Sequence, residues 1–358
     1  MSVAFERDTI GQSKFVVSFL DPRVRLILRR TAVEWSAIQR WTPILGFGIF
    51  VICFVCVLGA AGQQPVFRGA GDVVRVFATV TDRDDQLVTT LTRDDFEVRD
   101  EGRQQAITLF DNTPQRIRLI VMLDVSGSMA GNLRLLRAAS EQLFWRLRAD
   151  DVARVGTFGH EVIIGPSVFT GDPIELQAAL PRMIATDAPT PLWRGIDEAL
   201  DGFGAETDAR RVILVLSDGK DSGPTGFGQR FFTRAEIIDR ARDEDVMVYG
   251  IGMRSRGVRP RQPGFGPGAL QAMLMADLPD HGLALVARET GGGYAEIRFG
   301  QDLGAAFAQV ADELHSQYLL GFAPPKYDGK VHDVSVRVAQ RGLKVRARRT
   351  YVAPKGQL

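Results

Sequence analysis

Between residues 117 and 310, strand-length apolar runs alternate with helix-length amphipathic stretches, and this alternation restricts the chain more than any other feature. The runs RLIVML (118–123), VARVGTF (152–158), RVILVLS (211–217) and VMVYGIG (246–252) carry few polar residues. A strand wet on one face alternates polar with apolar, so near-continuous apolar runs imply burial on both faces. Helical patterns fall between and after them, over 133–147, 174–183, 192–203, 234–243, 283–289 and 303–314, with a short strand ending at Ile297. Strand and helix in repeated alternation predict an α/β fold, a doubly wound and mainly parallel sheet. RSRGVRPRQPGFGPG (254–268) interrupts the pattern, and its arginines, prolines and glycines predict a surface loop.

Both flanks of this unit have β character. Val74, Val76, Ala78 and Val80 alternate with Arg75, Phe77, Thr79 and Thr81, the period of a half-buried strand. Short runs at 96–98 and 106–110 follow, separated by the turn formers Asp84-Asp85 and Asp100-Glu101-Gly102. After the α/β unit, 317–322, 331–338 and 343–352 are strand candidates, with a hairpin signal at Asp328-Gly329. Neither flank supplies enough strands for a stable sheet comfortably alone. The expected architecture is therefore one β-sandwich, its N-terminal half at 65–114 and its C-terminal half at 315–354, with the α/β domain of 115–314 inserted between them.

ILGFGIFVICFVCVLGAAG (44–62) has no charged residue and is long enough to cross a bilayer. Arg29, Arg30 and Arg40 precede it, so residues 1–43 are expected to be a cytoplasmic leader and the remainder extracytoplasmic. Ala60-Ala61-Gly62 is also a small-residue cleavage pattern, so a retained transmembrane helix and a cleaved signal both fit. The two cysteines, Cys53 and Cys56, lie within this stretch and read as small apolar residues of a membrane helix. With none beyond it, the globular part has no disulfide framework. The formal net charge of +1 gives no sign of a nucleic-acid partner.

The chemistry lies at strand ends. Asp124 opens the loop after 118–123, and Asp124, Ser126 and Ser128 are spaced by two around Gly127. In an extended loop, residues so spaced point the same way. In open α/β sheets, ligands bind at this carboxyl edge. Thr190, just before a helix, and Asp218, just after the strand 211–217, fall on the same edge. Two carboxylates and three hydroxyls form an all-oxygen set, which suits Mg²⁺, Mn²⁺ or Ca²⁺. An octahedral ion held this way keeps a position open for water or a partner's carboxylate.

These pieces in this order resemble the von Willebrand factor A family, whose metal-ion-dependent adhesion site has an Asp-x-Ser-x-Ser loop, a threonine before a helix and an aspartate in a Thr/Ser-Asp-Gly turn. Carried over, they are Asp124, Ser126 and Ser128, then Thr190, then Asp218. The resemblance covers about residues 115–312. It implies a metal-dependent binding or adhesion module completed by a partner's Asp or Glu. The flanking segments LTRDDFEVRDEG (91–102), YLLGFAP (318–324) and DGKVHDVSVRV (328–338) resemble bacterial exported A-domain proteins of the acidobacterial type, which implies a cell-envelope or secreted setting.

Two other readings use the same residues. A Mg²⁺-assisted hydrolase would need a base beside the metal. His160, His281, His315 and His332 are scattered without metal-ligand spacing and read as surface or packing residues, so no enzyme activity is expected. An assembly factor for an envelope complex is the third reading. Trp193, next to the Thr190 turn, reads as a partly buried residue at a helix start.

Overall fold

The computed structural model describes residues 73–355 except 205–208, 218–220, 224–229, 254–280 and 298–301. The expected membrane segment, the 254–268 loop and Asp218 lie outside the described residues. Among the described residues, no helix is long and apolar enough to cross a membrane.

Residues Gly69–Leu358 form one compact unit. Its strands are β1 (Val74–Thr81), β2 (Phe96–Asp100), β3 (Arg103–Gln105), β4 (Ile107–Asp111), β5 (Ile117–Asp124), β6 (Val152–Phe158) and β7 (Val162–Thr170). They continue with β8 (Arg210–Ser217), β9 (Val246–Met253), β10 (Tyr294–Ile297), β11 (Tyr318–Phe322), β12 (Val331–Val338), β13 (Lys344–Ala347) and β14 (Thr350–Val352). The helices are α1 (Leu133–Phe144), α2 (Pro173–Ala178), α3 (Leu192–Asp201), α4 (Arg234–Asp243), α5 (His281–Thr290) and α6 (Leu303–Leu314).

The central sheet has six strands in the order β10-β9-β8-β5-β6-β7. Every pair is parallel except β6–β7. All eight residues of β5 are buried, because the sheet is covered on both sides. Leu119, Val121 and Leu123 join a cluster with α1 and α6, whereas Ile120 and Met122 join a second cluster with α3, α4 and α5. Each such side chain contributes about 1.5–3 kcal/mol relative to exposure, so the doubly wound core follows directly from the apolar runs.

Strand β7 is absent from the sequence reading. Its run VIIGPSVFT breaks alternation at Gly165-Pro166. Proline cannot donate to a ladder and is tolerated at an edge or bulge. β7 is an edge strand whose register with β6 shifts between Ala153 and Val155. Helix α2 is shorter than expected. The Asp172 side chain caps it through Ile174 N–H at 2.8 Å, and Pro181 disfavours helical backbone at Leu180.

The flanking segments do pair with each other. One antiparallel sheet runs β13-β1-β11-β4 and another runs β14-β12-β2-β3, each drawing strands from both ends of the chain. Val76 lies opposite Leu320, Val80 opposite Val345, and Val98 opposite Val336. A single apolar cluster joins the sheets: Val74, Val76 and Val80 with Leu320 and Phe322 from one, Phe96, Val98, Val334 and Tyr351 from the other. The expected single strand over 343–352 is two. β13 pairs with β1, whereas β14 pairs with β12, so the chain changes sheet at Arg348-Arg349.

The opposite face of β1 is also covered. Phe77 belongs to the cluster of the central sheet. Thr79 Oγ1 donates to Glu313 Oε1 of α6 at 3.1 Å. Glu313 further accepts from Tyr249 OH at 2.5 Å and from Arg346, while Gln317 Nε2 donates to Thr79 Oγ1 at 2.7 Å and Tyr249 OH at 3.1 Å. This buried network ties the flanking sheet to the central one.

Candidate metal centre

Asp124 is the last residue of β5 and has no solvent exposure. A buried carboxylate requires donors or positive charge around it. Its Oδ1 accepts the backbone N–H of Ser126 at 2.9 Å, and its Oδ2 accepts the Ser217 hydroxyl at 2.5 Å. Ser217 ends β8, the strand adjacent to β5. Val125 N–H donates to Phe158 O of β6 at 3.0 Å, fixing the loop from its other side.

Ser126 is extended (φ −68°, ψ 165°) and starts a 3₁₀ turn over Gly127–Asn132. Its Oγ lies 2.9 Å from Ser128 Oγ. An octahedral Mg²⁺ with oxygens at about 2.0–2.1 Å places adjacent ligands about 2.9 Å apart, so the pair spans one edge of such an octahedron. The same spacing serves as a hydroxyl–hydroxyl hydrogen bond. Ser126 is buried and Ser128 exposed, so the oxygens run from the protein interior to its surface.

Gly127 allows two loops to touch. A Cβ there would lie 2.1 Å from Thr186 O, and Gly127 N–H donates to Ala188 O at 3.1 Å. Thr190 is buried on the same segment. Its N–H donates to Ser222 Oγ at 3.0 Å, and its carbonyl accepts Ser222 N–H at 2.9 Å. Asp221 accepts Trp193 N–H at the start of α3 at 3.4 Å. Hydrogen bonds therefore connect the Asp124 loop, the Thr190 loop and the segments before and after Asp218.

Of the five residues read from the sequence, the structure brings Asp124, Ser126, Ser128 and Thr190 to linked loops, and Asp218 lies outside the described residues. Among the described residues, no group of three His, Cys, Asp or Glu could hold a metal. Among the four candidate residues that the structure describes, three offer hydroxyls: Ser126, Ser128 and Thr190. The supporting residues Ser217, Asp221 and Ser222 escaped the sequence reading. Ser217, adjacent to Asp218, read there only as a strand end.

Trp193 is the second residue of α3 and is buried in the core, more fully than the partly buried helix start expected for it. His315 Nε2 lies 2.7 Å from Asp151 Oδ2, and His332 Nδ1 lies 3.0 Å from Asp100 Oδ1, both buried pairs remote in sequence. His160 is a surface residue, as expected. It lines a groove of about 470 Å³ with Val125, Ile163, Met183 and Ala188, next to the Asp124 loop, and its Nε2 is 3.4 Å from Asp187 Oδ1.

An Asp-x-Ser-x-Ser loop at this end of this strand order is the arrangement that the resemblance to the von Willebrand factor A family implies. No family model matches the chain, and no curated protein does. Among solved structures, the chain is similar to BatB from Bacteroides thetaiotaomicron, at 16% identity over 55% of this chain and 97% of that one, with a TM-score of 0.41. It is similar to a von Willebrand factor type A protein from Catenulispora acidiphila, at 12% identity over 80% and 75%, TM-score 0.44. It is also similar to proximal thread matrix protein 1 of the mussel byssus, in a structure with a zinc-occupied MIDAS motif, at 14% identity over 61% and 50%, TM-score 0.45.

Proposed function

We propose that the chain is a metal-dependent protein-binding module of the bacterial envelope. Asp124, Ser126, Ser128, Thr190 and Asp218 would hold a divalent cation, which supplies an open position for a partner's Asp or Glu carboxylate. The observation that carries this reading is the bonding of the loops to one another: Ser217 to Asp124, Gly127 to Ala188 and Ser222 to Thr190. The groove beside the loop adds exposed apolar side chains, with Met183 at 83% and Ile163 at 61% exposure. An acidic side chain flanked by apolar residues suits that combination. We read the two flanking sheets as one sandwich that carries the A domain with its metal edge outward. The arginines before residues 44–62 and the cysteine-free remainder support an extracytoplasmic location.

Calorimetry with Mg²⁺, Mn²⁺ and Zn²⁺ tests the site. Asp124→Ala abolishes binding while leaving the fold largely intact, and equal binding by wild type and variant removes the assignment. A pull-down from envelope extract recovers the partner with Mg²⁺ and loses it with EDTA. A hydrolase reading rests on His160 as base. It requires turnover of an ester or phosphoester substrate that His160→Ala abolishes without changing metal affinity.

A further inference from the structure

At the amino ends of β5, β8 and β9, opposite the metal edge, a cavity of about 200 Å³ is lined by Arg75, Arg116, Arg210, Arg211 and Arg348, with Asp245 as its single carboxylate. The length of β5, at about 3.3 Å per residue, separates it from Asp124 by about 23 Å. Phe77, Met247 and Leu319 form its apolar wall. The cavity lies where β1 and β11 of the flanking sheet meet the central sheet.

This concentration of positive charge is incompletely compensated by the protein. Arg348 pairs with Asp245. Arg210 donates to Gln317 Oε1 and Leu314 O, both at 2.6 Å, and lies 4.9 Å above the Phe77 ring, yet its buried Nε has no hydrogen-bond partner. Among the described residues, the side chains of Arg75 and Arg211 have no hydrogen-bond or ion-pair partner. Burial and the neighbouring Arg75 charge pull the Arg348 guanidinium down to about 10, and burial does the same for Arg210. Both remain charged at neutral pH.

Guanidinium forks match the oxygens of phosphate-class anions and hold them bidentately. Clustered like charges repel, so an oxyanion held among these guanidiniums relieves that repulsion. We propose that this cavity binds a phosphate-class oxyanion, gripped by Arg75, Arg211 and Arg348 at the seam between the A domain and the flanking sheets. The volume accommodates inorganic phosphate or a small phosphate monoester whose organic part lies against Phe77 and Leu319.

The test titrates the purified full-length chain with inorganic phosphate and with glycerol phosphate, against chloride at equal ionic strength, by calorimetry and thermal melting. Wild type gives saturable binding and a melting point raised by several degrees. Arg75→Gln and Arg211→Gln each weaken binding at least tenfold while melting like wild type in chloride. Tighter binding of the monoester identifies an esterified ligand, and tighter binding of inorganic phosphate identifies the free ion. Absence of binding heat overturns the proposal. So does a melting-point gain equal in wild type and variants, because excluded kosmotropic anions stabilise any fold without a site.

Discussion

Replacing Gly127 by alanine puts a methyl group 2.1 Å from the Thr186 carbonyl oxygen. That oxygen is backbone and cannot swing aside, so the two loops must separate by about 1 Å to reach ordinary contact. Overpacking of this kind costs about 1–3 kcal/mol, and loss of the Gly127 N–H bond to Ala188 adds about 0.5–1.5 kcal/mol. Together they give about 1.5–4.5 kcal/mol. At about 2 °C per kcal/mol for a large unit, the melting point falls by about 3–9 °C. Gly131, four residues on in the same turn, is the internal control, because a Cβ there meets nothing within 4 Å. Gly131→Ala therefore melts within about 1 °C of wild type. The separation also carries Ser126 and Ser128 away from the Thr190 loop. Mg²⁺ tolerates little departure from octahedral geometry, so its affinity falls at least tenfold in Gly127→Ala and stays unchanged in Gly131→Ala. Differential scanning calorimetry and metal titration read the two effects separately. Equal melting points for both variants would refute the loop contact, and wild-type Mg²⁺ affinity in Gly127→Ala would refute its part in the site.

Ser217→Ala removes a donor to the buried Asp124 carboxylate; metal affinity drops about 10–100-fold, and a titration curve superimposable on wild type counts against Ser217 as a positioning residue. Glu313→Ala strands the hydroxyls of Tyr249 and Thr79 and frees the one-third-exposed Arg346. Urea unfolding loses about 2–3 kcal/mol, and a loss below about 0.5 kcal/mol would show that the network does not hold the sheets together. His332 is buried, which opposes its charged form, but the Asp100 and Asp328 carboxylates outweigh that and raise its pKa. The stabilisation is complete below the ordinary histidine value of about 6.5 and is lost as pH rises through the raised value. Wild-type stability thus declines from pH 6 towards pH 8, and His332→Asn flattens that decline; identical slopes contradict the assignment. Asp151 shows the opposite sign. Burial raises its pKa, but hydrogen bonds from His315 and from Arg148 and Ile117 N–H outweigh it. That contribution is present above about 4 and disappears as pH falls through the lowered value, so His315→Ala reduces the acid sensitivity of unfolding measured below pH 5.

The doubly wound sheet is legible in the sequence because a strand buried on both faces needs an apolar interior, and β5, β8 and β9 have unbroken apolar runs between their ends. Asp124 is legible because a carboxylate that closes such an apolar run has to lie at the strand's carboxyl end, where loops meet. The pairing of β1 with β13 and of β2 with β12 follows from flanks too short in strands to close alone. Other features depend on contacts between residues far apart in the chain, and no local pattern encodes them. β7 forms because β6 offers it an edge, despite Gly165-Pro166. The run 343–352 divides because two sheets compete for it. Phe77 and Thr79 read as the wet face of β1, yet the α/β unit covers them. Ser217 and Ser222 become supports of the site only when β8 lies beside β5 and its following loop meets Thr190. The cluster around Arg210 and Arg348 likewise exists only in three dimensions, since it joins arginines from β1, β8 and the β13–β14 connection. Local hydrophobic period and turn chemistry determine which segments become strands and helices; which side chains meet is set by how the resulting faces pack.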